Sequence, residues 1–174
     1  MIVLGYIGAA KEKTFSARIG WALIRLVQIG RTYYRVTHTE LLIDGDCYAA
    51  DIASATLLDS GGVRIKLDVA LNPAHWMAVD LPDTADRNPQ TAAAWFFKHE
   101  GQRYDRRGAP GSVLMGIGQA DDEWFCNEAC GAALGQTDPH KMPPAGFMAW
   151  VMDQPGARDV TAEFFKKSTK EALA

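Results

Sequence analysis

The chain has few cysteines, no long apolar run and no surplus of positive charge, and each lack excludes a class of protein. Three cysteines in 174 residues is an odd and small number. Cys126 and Cys130 lie one helical turn apart, so a disulfide framework is not expected and the thiols suit a reducing compartment. No apolar stretch approaches the ~20 residues that a membrane helix needs, so no integral membrane segment is expected. Met1 to Ala10 is apolar but lacks a basic leading region, so it reads as a buried strand rather than a signal peptide. The expected site of synthesis and residence is therefore the cytoplasm, with later release to a particle or to the cell wall needing another route. The formal net charge is -3, which gives no electrostatic reason to expect nucleic acid or an acidic membrane as the main partner, while a local basic patch stays open. Internal repeats and low-complexity tracts are also lacking.

What is present is an ordinary globular balance, 48% hydrophobic and 22% charged residues, over a length suited to one domain spanning 1–174. After the first strand, a helix is expected from Lys11 to about Gly30, with Phe15, Ile19, Leu23, Leu26 and Val27 at helical spacing. Tyr33 to Ile43 is rich in β-branched and aromatic residues and reads as a strand. Asp44-Gly45 is a hairpin turn signal, and Cys47 to Ile52 returns as the next strand. A further strand runs from Val63 to Val69 after Gly61-Gly62. Asn72 to Pro89 is irregular, Thr91 to His99 helical, and Gly101 to Gly118 glycine-rich and loop-like. Glu123 to Leu134 is a helix of small residues stopped by Gly135. The tail is loop-rich until an amphipathic segment near Thr161 to Lys170. The fold class is α+β.

Cys126 falls near the start of its helix, where the helix dipole and free backbone N–H groups favour a thiolate. That suits a nucleophile, although small buried core residue is the commoner use of a free cysteine. Cys130 lies deeper in the helix and reads as core. A zinc site lacks a fourth ligand and the usual cysteine spacing, so no metal and no cofactor is expected. A nucleophilic cysteine needs a base. His38 opens an apolar strand, whereas His75, His99 and His140 lie in irregular, helix-terminal or Pro-rich surroundings and read as surface or packing residues. If Asp44-Gly45 forms a two-residue turn, Ile43 faces Asp46 and His38 faces Asp51, which could then orient the imidazole. A longer turn would put Ala53 there instead. Glu40 shares the face of His38 and is the reserve.

With these residues in place, the chain resembles the circularly permuted branch of the NlpC/P60 papain-like superfamily, which includes YiiX-like proteins and, more distantly, the lecithin:retinol acyltransferases. The segments that carry the resemblance are Tyr6-Ile7-Gly8, Thr37-His38-Thr39-Glu40-Leu41-Leu42, Gly61-Gly62-Val63-Arg64, Tyr104-Asp105-Arg106-Arg107-Gly108 and Trp124-Phe125-Cys126-Asn127-Glu128. It is nearest to small proteins of phages and prophages. Asn127 departs from the serine more often found at that place. The resemblance implies a papain-like fold, with a central antiparallel sheet and the cysteine helix packed on it. Cys126 would be the nucleophile, His38 the base, Asp51 the orienting residue and Tyr104 a hydroxyl that positions substrate or oxyanion. It implies a thiol hydrolase, foremost on amide bonds of cell-wall peptides, with phage virion components as partners. Two rivals stay open. One is an acyltransferase or thioesterase on lipids, for which Trp21, Trp76, Trp95 and Phe96 could line an apolar groove. The other is a non-catalytic phage structural or binding protein with a vestigial site.

Overall fold

The computed structural model describes residues 1–8, 22–51, 61–67, 69–105 and 122–171. Strand β1, Ile2–Tyr6, is apolar along its whole length, and it takes a central place in the sheet. Residues 22–27 are helical, and Gly30, at φ 89°, marks the end of that segment. Strands β2, His38–Ile43, and β3, Asp46–Asp51, form the expected hairpin about Asp44 and Gly45. Strand β4 is Gly62–Lys66 and β5 is Trp76–Asp80. Helix α1, Pro89–His99, starts on a cap in which the Asn88 side chain accepts from Thr91 N at 2.9 Å. The short strands β6, Arg103–Tyr104, and β7, Glu123–Trp124, pair in parallel. Helices α2, Cys126–Ala133, and α3, Pro144–Met152, follow, then β8, Arg158–Asp159, and helix α4, Thr161–Glu171.

Six of the strands form one antiparallel sheet in the order β4-β3-β2-β1-β5-β8. The architecture is α+β. Strand alternation divides the apolar residues between two faces. Val3, Leu41, Tyr48, Val63 and Val79 join Phe96 of α1, Ala129 and Cys130 of α2 and Phe147 of α3 in the main core. Leu4, Cys47 and Ala78 face the other way, toward Val160 and Phe164 at the start of α4.

The elements depart from the sequence reading in five places. Residues 33–37 are turns rather than strand, because the buried amide of Gln28 takes the carbonyls of Tyr34 and Val36 at 3.3 and 3.0 Å. The stretch Asn72 to Pro89 contains β5, which is hydrogen-bonded to β1 along its whole length. Its flanking prolines, Pro73 and Pro82, hide a five-residue strand whose three central residues are buried. The cysteine helix starts at Cys126, not Glu123, since Trp124 is held in β7 opposite Tyr104. The tail contains α3, which is buried on most sides and so lacks amphipathic period. The fourth strand stops at Lys66 rather than Val69.

Gly62 marks a tight approach. Its φ is 138°, and a Cβ there would stand 1.9 Å from the Gln102 carbonyl oxygen, to which Val63 N donates at 2.9 Å in the natural chain. Gly62→Ala should therefore lower stability by about 3 kcal/mol or more. Gly135→Ala, at φ 76° in open space, should cost about 1 kcal/mol. Urea unfolding of the two variants measures the contrast, and equal costs would mean that β4 and the 101–103 segment are not packed this way.

Candidate active site

The hairpin turn sets the site. Asp44 and Gly45 both have positive φ, 52° and 94°, the form that suits the twist of a two-residue hairpin. Ile43 pairs with Asp46, Leu42 with Cys47 and Leu41 with Tyr48. Continued to the strand ends, this register puts Asp51 opposite His38. Asp51 Oδ1 lies 3.0 Å from His38 Nε2. Glu40, two residues along the same face, brings its Oε1 to the same nitrogen, also at 3.0 Å. Both candidates for the orienting role thus reach the imidazole.

Lys66, a residue the sequence reading passed over, completes the group. Its Nζ lies 2.5 Å from Glu40 Oε1 and 3.0 Å from Asp51 Oδ2. The pairing of β3 with β4 puts Lys66 beside Cys47 and Gly62 beside Asp51, so the lysine reaches back along the strand to both carboxylates. Alternation along Val63-Arg64-Ile65-Lys66 was a usable signal for the face. No turn residue tied β4 to β3 in register, and the lysine could not be assigned from sequence.

His38 and Cys126 meet as the first residue of β2 and the first residue of α2. The Cys126 thiol lies near enough to the imidazole for its charge to act on it. Since Nε2 is engaged by the carboxylates, Nδ1 is the nitrogen left for the thiol. The thiol also lies 3.6 Å from Asn127 Oδ1, and Asn127 Nδ2 donates to the Met142 carbonyl. The amide at position 127 thus ties the helix start to the segment before α3. Cys126 is only 4% exposed.

Tyr104 reaches the same point through the β6–β7 pairing. The Tyr104 hydroxyl lies beside the backbone N–H of Cys126. Glu128, fully buried in the first turn of α2, accepts from Phe125 N at 3.3 Å. Burial pushes its carboxyl up to about 7, with the negative charge of Asp105 adding to the effect and the Phe125 N–H opposing it.

The charges are strongly coupled. Burial pulls the His38 pKa down, but the Cys126 thiolate and then Asp51 outweigh it, and the imidazolium is held well above its ordinary range. Burial opposes ionisation of Asp51 and Glu40, yet His38 and Lys66 hold both carboxyls below their usual values. Lys66 is raised by its two carboxylates against the effect of burial. The other thiols differ from this arrangement. Burial and Glu40 push Cys47 up to about 12, and burial followed by the charge of Cys126 pushes Cys130 well up. The Cys130 thiol points at the Thr39 carbonyl, 3.6 Å away.

His38, Glu40 and Asp51 offer ligand atoms within 4.8 Å of one another, which is close enough to hold a cation. The Lys66 ammonium already sits against both carboxylates and supplies that charge. The remaining histidines serve packing. His99 stacks on Trp95 at 4.0 Å and contacts the Trp95 carbonyl at 2.7 Å. His75 lies against Tyr6 at 5.8 Å, and His140 is in a single 3-10 turn. The aromatic residues suggested for a lipid groove do not form one surface. Trp95 packs with Phe96 and Trp124, Trp76 stands beside Tyr6 and His38, and Trp21 lies outside the described residues. Comparison with family models, with curated proteins and with solved structures returns no match. No helix among the described residues is long and apolar enough to cross a membrane.

Two outcomes are expected. Lys66→Met leaves Glu40 buried without its cation and should cost about 2 kcal/mol, below the full ~3–5 kcal/mol for stranding a buried charge because the Lys66 side chain is 30% exposed. The pH dependence has two signs. The depressed Asp51 and Glu40 contribute stability that is present above about pH 4 and is lost as pH falls through their folded values. The raised His38 contributes stability that is full below about pH 6.5 and is lost as pH rises through its folded value. The unfolding free energy lost in His38→Gln, followed by urea melts across pH, should therefore be largest between about pH 5 and 6.5 and decline at alkaline pH. A loss that grows with rising pH would mean that the histidine is held neutral.

Proposed function

We propose that the chain is a thiol hydrolase of papain-like type that cleaves an amide bond, with cell-wall peptides as its leading substrate class. The observation that carries the reading is the contact of the Cys126 thiol, at the first residue of a helix, with an imidazole whose far nitrogen is held by two carboxylates. The resemblance of the His38, Tyr104 and Cys126 segments to the permuted NlpC/P60 proteins supports the same reading.

The cycle follows from the contacts. His38 takes the thiol proton, and the imidazolium is stabilised by Asp51 and Glu40. The thiolate attacks the carbonyl carbon, and the carbonyl electron pair moves to oxygen. An oxyanion at the helix start would accept from the Cys126 N–H. Burial and the surrounding negative charges keep the Tyr104 hydroxyl protonated, so it can donate to the oxyanion as a second group. The C–N bond then breaks, and the amine leaves with the proton from His38. Water, activated by the neutral imidazole, cleaves the thioester, releasing the carboxylic acid and restoring the thiol.

One observation favours a second reading. Cys126 is nearly covered, as expected of a non-catalytic structural or binding protein that keeps the residues of a site. Alkylation separates the two readings. Cys47 and Cys130 are fully buried, and their thiols are pushed up. Iodoacetamide at mildly acidic pH should therefore modify Cys126 first, and His38→Ala should slow that modification. Release of new amino groups from purified peptidoglycan should fall by at least ~10³-fold in Cys126→Ser and in His38→Ala, and by about 10²-fold in Tyr104→Phe. Equal slow labelling of all three cysteines, with no amide product, would leave the non-catalytic reading. Turnover of long-chain acyl esters in preference to peptides would move the assignment to the lipid-directed enzyme.

A further inference from the structure

The helical segment over residues 22–27 and the turn that follows it are oriented against their own composition. The residue they bury is Gln28, which is fully inaccessible. Its Nε2 donates to the Tyr34 and Val36 carbonyls, and its Oε1 accepts from Ala145 N at 2.7 Å. Arg25 Nη2 donates to the carbonyls of Ile7 and Gly8 at 3.0 and 2.6 Å. These bonds lock the segment to the end of β1, the turn before β2 and the start of α3. With the polar residues facing inward, the aliphatic ones face out. Leu26 is 61% and Ile29 68% exposed, and Leu23, Val27 and Tyr34 are exposed beside them. Leu23, Leu26 and Val27, which recur at helical spacing, thus share an outward face.

The charged residues of this stretch of sequence have one sign. No aspartate or glutamate occurs between Glu12 and Glu40, although the whole chain is negative. Arg31 and Arg35 are exposed, and neither forms an ion pair with another described residue. Tyr33, which is only partly exposed and is not among the outward apolar residues, has its pKa raised by burial and then by the charges of Asp159 and Asp153.

We propose that this face is a docking surface for an anionic lipid bilayer, in which the chain rests at the membrane interface without crossing it. Exposed aliphatic side chains, followed within a few residues by an exposed tyrosine and two exposed arginines, match the layered chemistry of a bilayer surface, with acyl chains beneath and phosphate headgroups above. A second copy of the chain fits less well. Two such faces in contact would set Arg31 and Arg35 against their equivalents with no carboxylate between them. Nucleic acid fits less well too, since Leu, Val and Ile offer bases no stacking surface.

The test is co-sedimentation of the full chain with vesicles of equal parts phosphatidylglycerol and phosphatidylcholine, and with phosphatidylcholine alone. Binding is expected to the anionic vesicles and to weaken with added salt. Leu26→Asp and Ile29→Asp should each reduce the partition coefficient about tenfold or more. Arg31→Gln and Arg35→Gln should reduce it about fivefold each. All four side chains are at the surface, and circular dichroism confirms that the variants fold. Binding that is equal on both vesicle types, or unchanged in the aspartate variants, overturns the proposal. So does a concentration-dependent dimer in sedimentation velocity that the aspartate variants dissolve, which would assign the face to a second copy. Retention on heparin or single-stranded RNA that survives Ile29→Asp, without vesicle binding, would assign the arginines to a general polyanion. Peptidoglycan cleavage by Leu26→Asp in solution should equal that of the natural chain, so a failure of docking and a failure of the hydrolase reading are separately visible.

Discussion

The turn at Asp44–Gly45 governs the arrangement at the far end of its hairpin. Two residues of positive φ close it without an extra residue, and the pairs Ile43 with Asp46 and Leu41 with Tyr48 follow. Because side chains alternate, a slip of one residue in either strand would turn its side chains to the opposite face. His38 would then lose Asp51, or Glu40 would enter the apolar core beside Tyr48 in place of Leu41. The same register passes through β3 to β4 and brings Lys66 to the carboxylates. A local choice of turn geometry thereby determines a charge cluster five residues away along each strand.

That cluster is balanced as a unit. Two carboxylates on one imidazole nitrogen would repel each other in a largely buried place, and the Lys66 ammonium, shared between them, makes the arrangement tolerable. The one negative charge that the lysine leaves uncompensated is answered by the imidazolium. The consequence for chemistry has two sides. A firmly held imidazolium places a positive charge beside the sulfur that attacks in the proposed enzyme. The same hold opposes transfer of the proton to a leaving amine, which is the step that most needs a mobile proton. In the proposed enzyme the carboxylates therefore set the balance between forming the thiolate and completing the cycle.

How much of this was legible in the sequence depended on whether a local signal existed. The hairpin was legible because Asp44-Gly45 specifies a turn type, and from the turn the His38–Asp51 contact follows by counting. The contact of His38 with Cys126 joins residues far apart in sequence and could be expected only from the chemistry that each end suits. Strand β5 was not legible, since Pro73 and Pro82 suggest irregular chain while Trp76 to Asp80 pairs with β1 out of sequence order. Helix α3 lacked a polar face from which a period could be read. Lys66 lacked a turn to tie its strand in register. Glu40 was placed in reserve because a choice between two carboxylates was assumed, whereas the geometry accommodates both.

Two of the departures share one cause. Gln28 has the side chain of a surface residue, yet its amide bonds three backbone groups from two other parts of the chain. A buried amide left without partners is costly, and one with all these bonds is a specific tie. By taking the Tyr34 and Val36 carbonyls it removes the acceptors that a longer β2 would have offered, so a segment of strong β propensity is left as turns. By facing inward it rotates Leu26 and Ile29 to the outside. Side-chain hydrogen bonding thus prevails over both propensity and apolar periodicity at this one position. The chain leaving the tie runs through Val36 and Thr37 directly into His38. The exposed apolar face and the imidazole are therefore parts of one continuous, bonded segment, and a surface held by that face would meet the protein at the end of the sheet from which the site is built.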